Sequence, residues 1–509
     1  MKLCVCIPGP SDVDVLAQCR SAMDAGADML ELRLDLWHEH ALNVLQDLIA
    51  GRAVPMVLTF RTWREGGELR AERAAYQKLL LRLMALGADY VDVEAWVGPA
   101  FVLTLLDTKS DTQILISSHL SEPPADLEAE IAQLCKLPAA YHKLAYPMTS
   151  SCDALEALHY ARRHERLILV GMGEAGQSTR ILGGWAGVPW TYVCMEEDAP
   201  LASGQLSLSC LDAMYRARSI SPSTRVYGLI GDPVVSSIGH YCHNAVMQRL
   251  GVDVVYIKWA VRSPELPRFL RLARLLGIRG LSVTMPHKEA VIACVEDVSP
   301  IALQMRAVNT LTLLGTGWKG DNTDGVGALR ALRRVAKAQN RSLLLLGAGG
   351  AARAIGHQAK MEGWRVTVCN RNEEKGGAFA AELGVATLPW DQRNQLAHQH
   401  AVVVQCTSLG GPSTPFDSVL DAGALDACTV AMDVHTVPGR TRFLRCAAQA
   451  GCRTVPGVEM FIEQAIAQAL LWYAEGQAAV VEQVMREVAY AHVEDSSEHS
   501  ERDDTSPSF

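Results

Sequence analysis

The chain has 509 residues, 49% of them apolar and 20% charged, so it can bury ordinary globular cores and is too long for one typical domain. Its formal net charge of −9 offers no basic surface for nucleic acid or an anionic membrane, and no apolar run approaches the roughly 18 residues of a membrane span. The 14 cysteines are scattered without any Cys-x-x-Cys, which argues against a disulfide framework and a metal site. We therefore expect at least two domains, in a reducing cytoplasm.

Residues 1–218 alternate short apolar segments with longer amphipathic ones, a pattern typical of repeated β-α units around a parallel sheet. The candidate strands are Leu3–Ile7, Met29–Leu34, Pro55–Phe60, Tyr90–Glu94, Gln113–Ser117, Tyr141–Ala145, Leu167–Gly171 and Trp190–Met195. Eight units in roughly 200 residues predict a (β/α)8 TIM barrel, whose active site would lie at the carboxyl ends of its strands.

The rest of the chain predicts a linker and a two-lobed α/β module. Residues 219–225 are rich in Ser, Pro and Thr, which disfavour helix and separate the two halves. We expect a substrate-binding α/β domain over 226–340 and a Rossmann domain over 341–493, with C-terminal helices that return to the substrate-binding domain. Residues 494–509 are rich in serine and acidic residues and should form a disordered tail.

Polar residues cluster where the strands of the predicted barrel end. A lysine on a barrel strand, Lys143, is costly unless its charge is paired, and desolvation lowers its pKa toward the neutral amine that imine formation needs. His119, on the preceding strand, could abstract a proton next to the imine carbon. Nearby arginines could hold a substrate carboxylate. Together these residues predict imine-assisted elimination or aldol chemistry, whereas Glu94 is interpreted as a structural partner of a neighbouring base.

Six motifs in this half resemble the type I 3-dehydroquinate dehydratase family. They are Glu31-Leu32-Arg33-Leu34-Asp35, Phe60-Arg61-Thr62 with Glu65-Gly66-Gly67, Ser117-Ser118-His119, His142-Lys143-Leu144-Ala145, Gly171-Met172-Gly173 with Arg180, and Gly204-Gln205. The resemblance implies that Lys143 forms the imine, that His119 is first base and then acid, and that Glu65 orients His119. It implies a substrate-binding set of Glu31, Arg33, Arg61, Arg180 and Gln205.

A glycine-rich turn in the second half predicts a dinucleotide site. The apolar strand Leu343–Leu346 runs directly into Gly347-Ala348-Gly349-Gly350-Ala351-Ala352 and then a helical stretch. After the next strand, Asn370 and Arg371 stand where an Asp or Glu would bind the ribose hydroxyls of NAD and repel a 2′-phosphate. The cofactor is therefore predicted to be NADP(H), with Lys375 either adding to the phosphate site or simply solvated.

The other motifs of this half resemble shikimate dehydrogenase. They are Gly231-Asp232-Pro233, Thr284-Met285-Pro286-His287-Lys288, Ala307-Val308-Asn309-Thr310, Asp321-Asn322-Thr323-Asp324, and Gly457-Val458-Glu459-Met460 with Gln464. The resemblance implies that Lys288 and Asp324 are the catalytic pair. It implies substrate contacts from Ser237, Thr284, Asn309 and Gln464. It implies cofactor contacts from Gly347, Ala348, Gly349, Gly350, Ala351, Asn370, Arg371, Lys375, Val434 and Gly457.

Three positions depart from that family. Gly239 replaces the second serine of Ser-x-Ser, Ser282 replaces the asparagine of Asn-Val-Thr, and Thr436 replaces the tyrosine of Asp-Met-x-Tyr. Thr436 could supply part of the tyrosine hydroxyl function, or Ser236 could shift toward the carboxylate.

The hypothesis that unites both halves is a bifunctional enzyme of the shikimate pathway. It dehydrates 3-dehydroquinate to 3-dehydroshikimate and then reduces this ketone to shikimate with NADPH, so its partners are small molecules. One alternative is that the second half prefers quinate. Another is a non-catalytic regulator that binds pathway metabolites, although a binding protein has no need of an imine-forming lysine.

Overall fold

The computed structural model describes residues 1–9, 12–37, 44–108, 110–196, 200–335, 341–411, 413–426 and 429–503. The chain forms two compact units. The first comprises Met1–Thr224 with the short segments Trp259–Val261 and Arg271–Leu276, and the second comprises the remainder. No helix among the described residues is both long and apolar enough to cross a membrane.

The first unit is a parallel β-barrel surrounded by helices. Its strands are β1 (Lys2–Ile7), β2 (Met29–Arg33), β3 (Met56–Thr59), β4 (Tyr90–Glu94), β5 (Gln113–His119), β6 (Tyr141–Pro147), β7 (Leu167–Met172) and β8 (Trp190–Val193). Its helices are α1 (Asp12–Asp24), α2 (Leu45–Ala50), α3 (Arg73–Met84), α4 (Pro99–Leu106), α5 (Leu127–Leu134), α6 (Ser151–Ala161) and α7 (Gln177–Ile181). All pairings are parallel in the order β7-β6-β5-β4-β3-β2-β1-β8, which confirms the predicted barrel, nearly closed between β7 and β8.

The strand register gathers the polar residues of this unit. Cys6 on β1 pairs with Glu31 on β2, and Ser117 on β5 pairs with Lys143 on β6. Because side chains alternate between the two faces of a strand, these residues share the inner face that the apolar helices do not cover.

The second unit begins with a mixed six-stranded sheet. Its strands are β9 (Arg225–Gly231), β10 (Val254–Ala260), β11 (Gly280–Val283), β12 (Asp297–Val298), β13 (Thr310–Leu314) and β14 (Gly317–Asp321), in the order β10-β9-β11-β13-β14-β12. The accompanying helices are α8 (Gly239–Leu250), α9 (Leu266–Leu276), α10 (His287–Ala290) and α11 (Pro300–Met305). β13 pairs antiparallel with both β11 and β14, so this lobe is not a simple βαβ array.

A wholly parallel sheet forms the other lobe of this unit. Its strands are β15 (Ser342–Leu346), β16 (Arg365–Cys369), β17 (Ala386–Thr387), β18 (Val402–Gln405), β19 (Val430–Asp433) and β20 (Arg453–Val455). Their order, β17-β16-β15-β18-β19-β20, is the doubly wound order of a dinucleotide-binding fold. The helices are α12 (Asp324–Val335), α13 (Gly350–Met361), α14 (Glu373–Leu383), α15 (Arg393–Leu396), α16 (Arg442–Gln449), α17 (Gly457–Trp472) and α18 (Ala478–Asp503).

The last two helices pack on the first lobe of the second unit. Ile462 and Ala469 of α17, with Val481 and Met485 of α18, share one apolar cluster with Tyr256 of β10. The chain therefore returns to the lobe where this unit began.

The predicted disordered tail needs a correction. Helix α18 continues to Asp503, so residues 494–503 are helical, and residues 504–509 lie outside the described residues. Extending a helix that packing has already nucleated costs little free energy per residue. Amino-acid composition alone does not reveal this effect.

Candidate active sites

A cavity of about 310 Å³ lies at the carboxyl end of the barrel strands. All eight site residues predicted for this half line it, together with Cys6, Arg64, Met172 and Tyr192. The eight are Glu31, Arg33, Arg61, Glu65, His119, Lys143, Arg180 and Gln205. Cys6, Arg64, Met172 and Tyr192 were not predicted. Tyr192 and Cys6 lie on β8 and β1, two strands that were predicted from their apolar residues alone. The alternation of side chains along a strand places both residues on the inner face of the barrel.

Lys143 is almost completely buried at the centre of this cavity. Its Nζ lies 3.5 Å from Glu31 Oε1, 3.9 Å from Asp92 Oδ2 and 3.8 Å from the centre of the Tyr192 ring. Although burial alone would raise the pKa of Glu31, the charges of Lys143, Arg33 and Arg61 lower it to about 2. The lysine thus has an ionised carboxylate and an aromatic face as neighbours, in a pocket open to a ligand.

His119 and Glu65 form a hydrogen-bonded pair beside Lys143. Glu65 Oε2 lies 2.9 Å from His119 Nδ1 and also accepts the backbone N–H of His119 at 2.9 Å. Burial, reinforced by the charges of Arg61 and Lys143, holds the pKa of His119 well below its usual value. Burial also raises the pKa of Glu65 to about 8, with Glu94 and Asp92 adding to the effect. The imidazole is therefore uncharged at physiological pH, which is one property a general base needs; the other is a free Nε2 lone pair, which requires Glu65 to be ionised.

Arg61 occupies the base of the loop that carries Glu65. Its guanidinium donates to Asp92 at 2.8 Å, to Ser117 at 2.9 Å and to both Glu65 and Glu94 at 3.2 Å. Most of the N–H donors of Arg61 thus already have acceptors within the protein, although the side chain also lines the cavity.

Glu94 is fully buried and anchors the same loop. It accepts the backbone N–H of Thr62 at 2.7 Å and the Thr62 hydroxyl at 2.6 Å. It does not line the cavity, which agrees with the structural interpretation of this residue.

Two further arginines line the cavity, and they differ in the groups to which they donate hydrogen bonds. Arg33 donates two parallel hydrogen bonds to Asp35, at 3.0 and 2.9 Å. Arg180 is only 2% exposed, donates to the Tyr192 carbonyl at 3.2 Å and has no partner for its Nε among the described residues. Burial lowers the pKa of Arg180 to about 10, so this guanidinium still carries a charge. No carboxylate of the described part of the chain pairs with it, and it is suited to an anionic ligand.

Gln205 closes one side of the cavity. Its Nε2 donates to Cys6 Sγ at 3.4 Å, and its Oε1 accepts the backbone N–H of Leu201 at 2.8 Å. Gly204 has φ +77°, and a Cβ there would lie 2.2 Å from the Gly173 carbonyl oxygen, so only glycine fits this approach.

The second unit contains a cavity of about 370 Å³ lined by both of its lobes. Every predicted substrate and catalytic residue of this half lines it: Ser237, Thr284, Lys288, Asn309, Asp324 and Gln464. Ser236 and Thr436, which were considered as compensating hydroxyls, line it too, as do the unpredicted Tyr256, Phe461, His435 and Gln468.

Lys288 and Asp324 are paired at the centre of this cavity. Lys288 Nζ donates to Asp324 Oδ2 at 2.6 Å, and Asn309 Nδ2 donates to Asp324 Oδ1 at 2.7 Å. The backbone N–H of Asp324, at the start of α12, donates to Asn322 at 2.9 Å. Both carboxylate oxygens are therefore held, and the lysine ammonium stands at the cavity surface with a fixed partner.

One of the substituted positions, Ser282, belongs to a buried hydrogen-bond chain. Tyr256 donates to Ser282 at 2.7 Å, and Ser282 donates to Gln468 at 2.8 Å. At Gly239 a Cβ would lie 3.5 Å from Ser237 Oγ and 3.7 Å from the Tyr256 hydroxyl, so the missing serine side chain leaves a small space between two hydroxyl groups.

A separate pocket of about 220 Å³ follows the glycine turn. Gly347, Ala348, Gly349, Asn370, Arg371 and Lys375 line it, whereas Ala351, Val434 and Gly457 line the larger cavity and Gly350 lines neither. A Cβ would have no neighbour within 4 Å at Gly349 or Gly350, so there is room for a pyrophosphate at the amino end of α13. With a guanidinium after β16, this pocket fits NADP.

Comparison with known proteins identifies relatives of both halves. The family model of type I 3-dehydroquinase matches residues 3–222, and that of the shikimate dehydrogenase substrate binding domain matches residues 229–311.

Three relatives illustrate the similarity. The chloroplastic bifunctional 3-dehydroquinate dehydratase/shikimate dehydrogenase of Arabidopsis thaliana is 30% identical over 489 residues, which cover 91% of this chain and 81% of that protein. The shikimate biosynthesis protein AroDE of Chlamydia pneumoniae is 28% identical over 475 residues, 93% of this chain and 95% of that protein. The shikimate dehydrogenase (NADP(+)) of Syntrophobacter fumaroxidans is 39% identical over 251 residues, 49% of this chain and 87% of that protein.

Proposed function

Because the chain belongs to the family of bifunctional 3-dehydroquinate dehydratase/shikimate dehydrogenases, we propose that its two cavities catalyse consecutive reactions through two residue pairs. Lys143 and His119 act in the barrel, and Lys288 and Asp324 act in the second unit. The chain is a multifunctional shikimate-pathway enzyme, a lyase and an NADP-dependent oxidoreductase. It converts 3-dehydroquinate to 3-dehydroshikimate and then to shikimate.

In the barrel, the unprotonated form of the buried Lys143 amine attacks the substrate ketone, and loss of water gives an imine. The imine withdraws electrons, so His119 Nε2 can remove a proton from the adjacent carbon. The electron pair then expels the β-hydroxyl group, which takes the proton from His119 and leaves as water. Hydrolysis of the imine releases the enone and restores Lys143. The observation that carries this proposal is the burial of Lys143 beside a neutral histidine that Glu65 orients.

Substrate binding in the barrel relies on Arg180 and Gln205. The charge of Arg180 has no counter-ion in the described residues, and a substrate carboxylate would supply one. Arg33 and Glu31 lie across the same cavity and can bind the ring hydroxyls. We assign Arg61 to substrate binding as well, with the added function of holding Glu65 in place.

In the second unit, bound NADPH supplies the hydride that reduces the carbonyl carbon. Lys288 and Asp324 hold the carbonyl oxygen and deliver the proton that completes the alcohol. Asn309 keeps Asp324 in place, while Ser237, Thr284 and Gln464 contact the carboxylate and hydroxyls of the substrate. Arg371 and Asn370, with Lys375, bind the 2′-phosphate of the cofactor.

Borohydride trapping tests the imine assignment directly. Wild-type protein incubated with 3-dehydroquinate and borohydride should gain the mass of the reduced substrate on the peptide that contains Lys143. Lys143→Ala should lose this adduct and the dehydration, while NADPH-linked reduction of added 3-dehydroshikimate remains. An adduct on another lysine, or loss of both reactions in the variant, would contradict the assignment.

A second candidate substrate for the second unit is quinate. The observation that favours it is the space beside Gly239, because quinate carries an additional hydroxyl on the carbon that bears the carboxylate. Comparison of kcat/KM for NADP-linked oxidation of shikimate and quinate, in wild type and in Gly239→Ser, decides between them. If quinate is used, the serine should lower its kcat/KM more than that of shikimate.

We also propose a cytoplasmic location, which rests on the scattered cysteines of the sequence. The proposed domain limits are 1–218, 226–340 and 341–493, with a linker at 219–225 inside which the two compact units divide.

A further inference from the structure

An aspartate–histidine pair that the proposed mechanism does not use lies in the second cavity. His435 follows β19 and lines the same cavity as Lys288 and Asp324. Its Nδ1 lies 2.8 Å from Asp433 Oδ1, and its backbone N–H donates to the same oxygen at 3.0 Å. Asp433 is fully buried, and its other oxygen accepts the Thr441 hydroxyl at 2.7 Å. The imidazole is therefore fixed in position.

The hydrogen bond to Asp433 also determines the tautomer of His435. A carboxylate can only accept, so Nδ1 carries a proton, and in the neutral imidazole Nε2 then presents a lone pair. Among the described residues, Nε2 has no hydrogen-bond partner. The side chain is 16% exposed, so a ligand in the cavity can reach this acceptor.

Gly411 keeps the space in front of Nε2 open. A Cβ at Gly411 would lie 2.8 Å from both Nε2 and Cδ2 of His435, closer than real side chains approach. Gly411 lies in the segment that follows β18, and residues 407–409 of this segment line the pocket that contains Arg371. The open space therefore lies next to the pocket assigned to the cofactor.

The phosphate end of a bound dinucleotide would lie in the pocket that contains Arg371, and its nicotinamide has to reach the reacting carbonyl beside Lys288. The dinucleotide therefore extends from the smaller pocket into the larger cavity. His435 is flanked by Val434 in the chain, and its carbonyl oxygen lies 2.1 Å from where a Cβ of Gly457 would be. Val434 and Gly457 are both assigned to the cofactor. Phosphate oxygens cannot donate to a lone pair, whereas the ribose hydroxyls and the carboxamide of the nicotinamide riboside half can.

We propose that His435, held by Asp433, accepts a hydrogen bond from the nicotinamide riboside half of NADP(H). This inference rests on the proposed NADP-dependent function and adds a cofactor-binding residue to it. His435 fixes the half of the cofactor that carries the reacting carbon, while Arg371 fixes the phosphate end.

Binding measurements with two ligands test this inference on the full-length protein. NADPH contains the riboside half, and adenosine 2′,5′-bisphosphate lacks it. His435→Ala should weaken NADPH binding about three- to tenfold, the effect of one lost hydrogen bond, and leave the Kd of the bisphosphate unchanged. His435→Gln, which offers an amide oxygen on the cavity side, should recover part of the loss. The exposed His398→Ala is the matched control and should change neither Kd.

Gly411→Ala provides an independent variant, because it removes no polar group and only fills the space in front of Nε2. Gly411→Ala should also weaken the binding of NADPH and leave the Kd of the bisphosphate unchanged. An unchanged NADPH Kd in His435→Ala, or equal weakening of both ligands, would overturn the role of His435 while leaving NADP binding itself intact. Failure of the wild type to bind either ligand would instead overturn the NADP-dependent function, and this inference with it.

Discussion

At the scale of single residues, we expect the pair of Glu65 and His119 to make the dehydration pH-dependent. Burial raises the pKa of Glu65 to about 8. Below that pH, protonated Glu65 donates to His119 Nδ1, which places the imidazole proton on Nε2 and removes the base. Above it, the carboxylate accepts from Nδ1–H and leaves the Nε2 lone pair free. We therefore expect kcat/KM for dehydration to rise with pH and level off above about 8.

Glu65→Gln tests this assignment. The amide oxygen can still accept from Nδ1–H but does not titrate, so the rise near pH 8 should disappear. The plateau rate should fall at least about tenfold, because the imidazolium that forms during proton transfer loses its counter-charge. The pH profile of shikimate oxidation in the same variant is the control and should not change. A rise at the same pH in the variant would assign the titration to another group.

The proposed role of Arg371 is to set the preference between NADPH and NADH. Arg371→Asp should repel the 2′-phosphate and accept ribose hydroxyls, and so lower the ratio of kcat/KM for NADPH over NADH by about tenfold or more. Steady-state kinetics with both cofactors measures this ratio. Arg445→Asp, an equal charge change at an exposed position of α16 outside the cofactor pocket, should leave it unchanged. A constant ratio in Arg371→Asp would place the phosphate site elsewhere.

At the scale of elements, strand alternation made most of the first site predictable. Glu31, Lys143 and His119 follow from their positions at the carboxyl ends of parallel strands, and the structure gathers them in one cavity. Tyr192 and Cys6 escaped prediction because an apolar or weakly polar residue on a strand gives no chemical signal before the register is known. The β14 hairpin strand and the helical residues 494–503 were missed because partner strands and helix continuation depend on tertiary packing.

The loop that carries Gln205 depends on a glycine at its turn. Gly204→Ala would require φ +77° from alanine and place its Cβ 2.2 Å from the Gly173 carbonyl oxygen. The loop would have to move, and Gln205 with it, so KM for 3-dehydroquinate should rise severalfold. Gly187→Ala is the control, because Gly187 has a similar φ of +82° but open space where the Cβ would be. Its effect measures the backbone strain alone, about 1–2 kcal/mol. Equal kinetic effects in the two variants would contradict a positional role for Gly204.

At the scale of the whole molecule, buried histidines limit the acid stability of the second unit. Burial lowers the pKa of His240 and His243 to about 3. The unfolded chain binds these protons near pH 6.5 and the folded chain does not, so stability is complete above pH 6.5 and falls as the pH decreases toward 3. Each histidine contributes a slope of about 1.4 kcal/mol per pH unit in that range.

His240→Leu should reduce this slope of the unfolding free energy by about 1.4 kcal/mol per pH unit, because it removes one titrating group. Calorimetry between pH 4 and 7 would follow the unfolding transition of the second unit, with the exposed His398→Leu as control. A slope unchanged from wild type would mean that His240 binds its proton equally well in the folded and the unfolded protein.

The central claim is that one chain carries two active sites for consecutive reactions, and a two-step assay tests it most directly. Purified protein is mixed with 3-dehydroquinate while the enone absorbance is followed, and NADPH is then added while its oxidation is recorded. The claim predicts enone formation in the first step and NADPH oxidation, with shikimate as the product, in the second. Enone formation without NADPH oxidation would contradict the assignment of the second site, and the absence of both signals would contradict the claim as a whole.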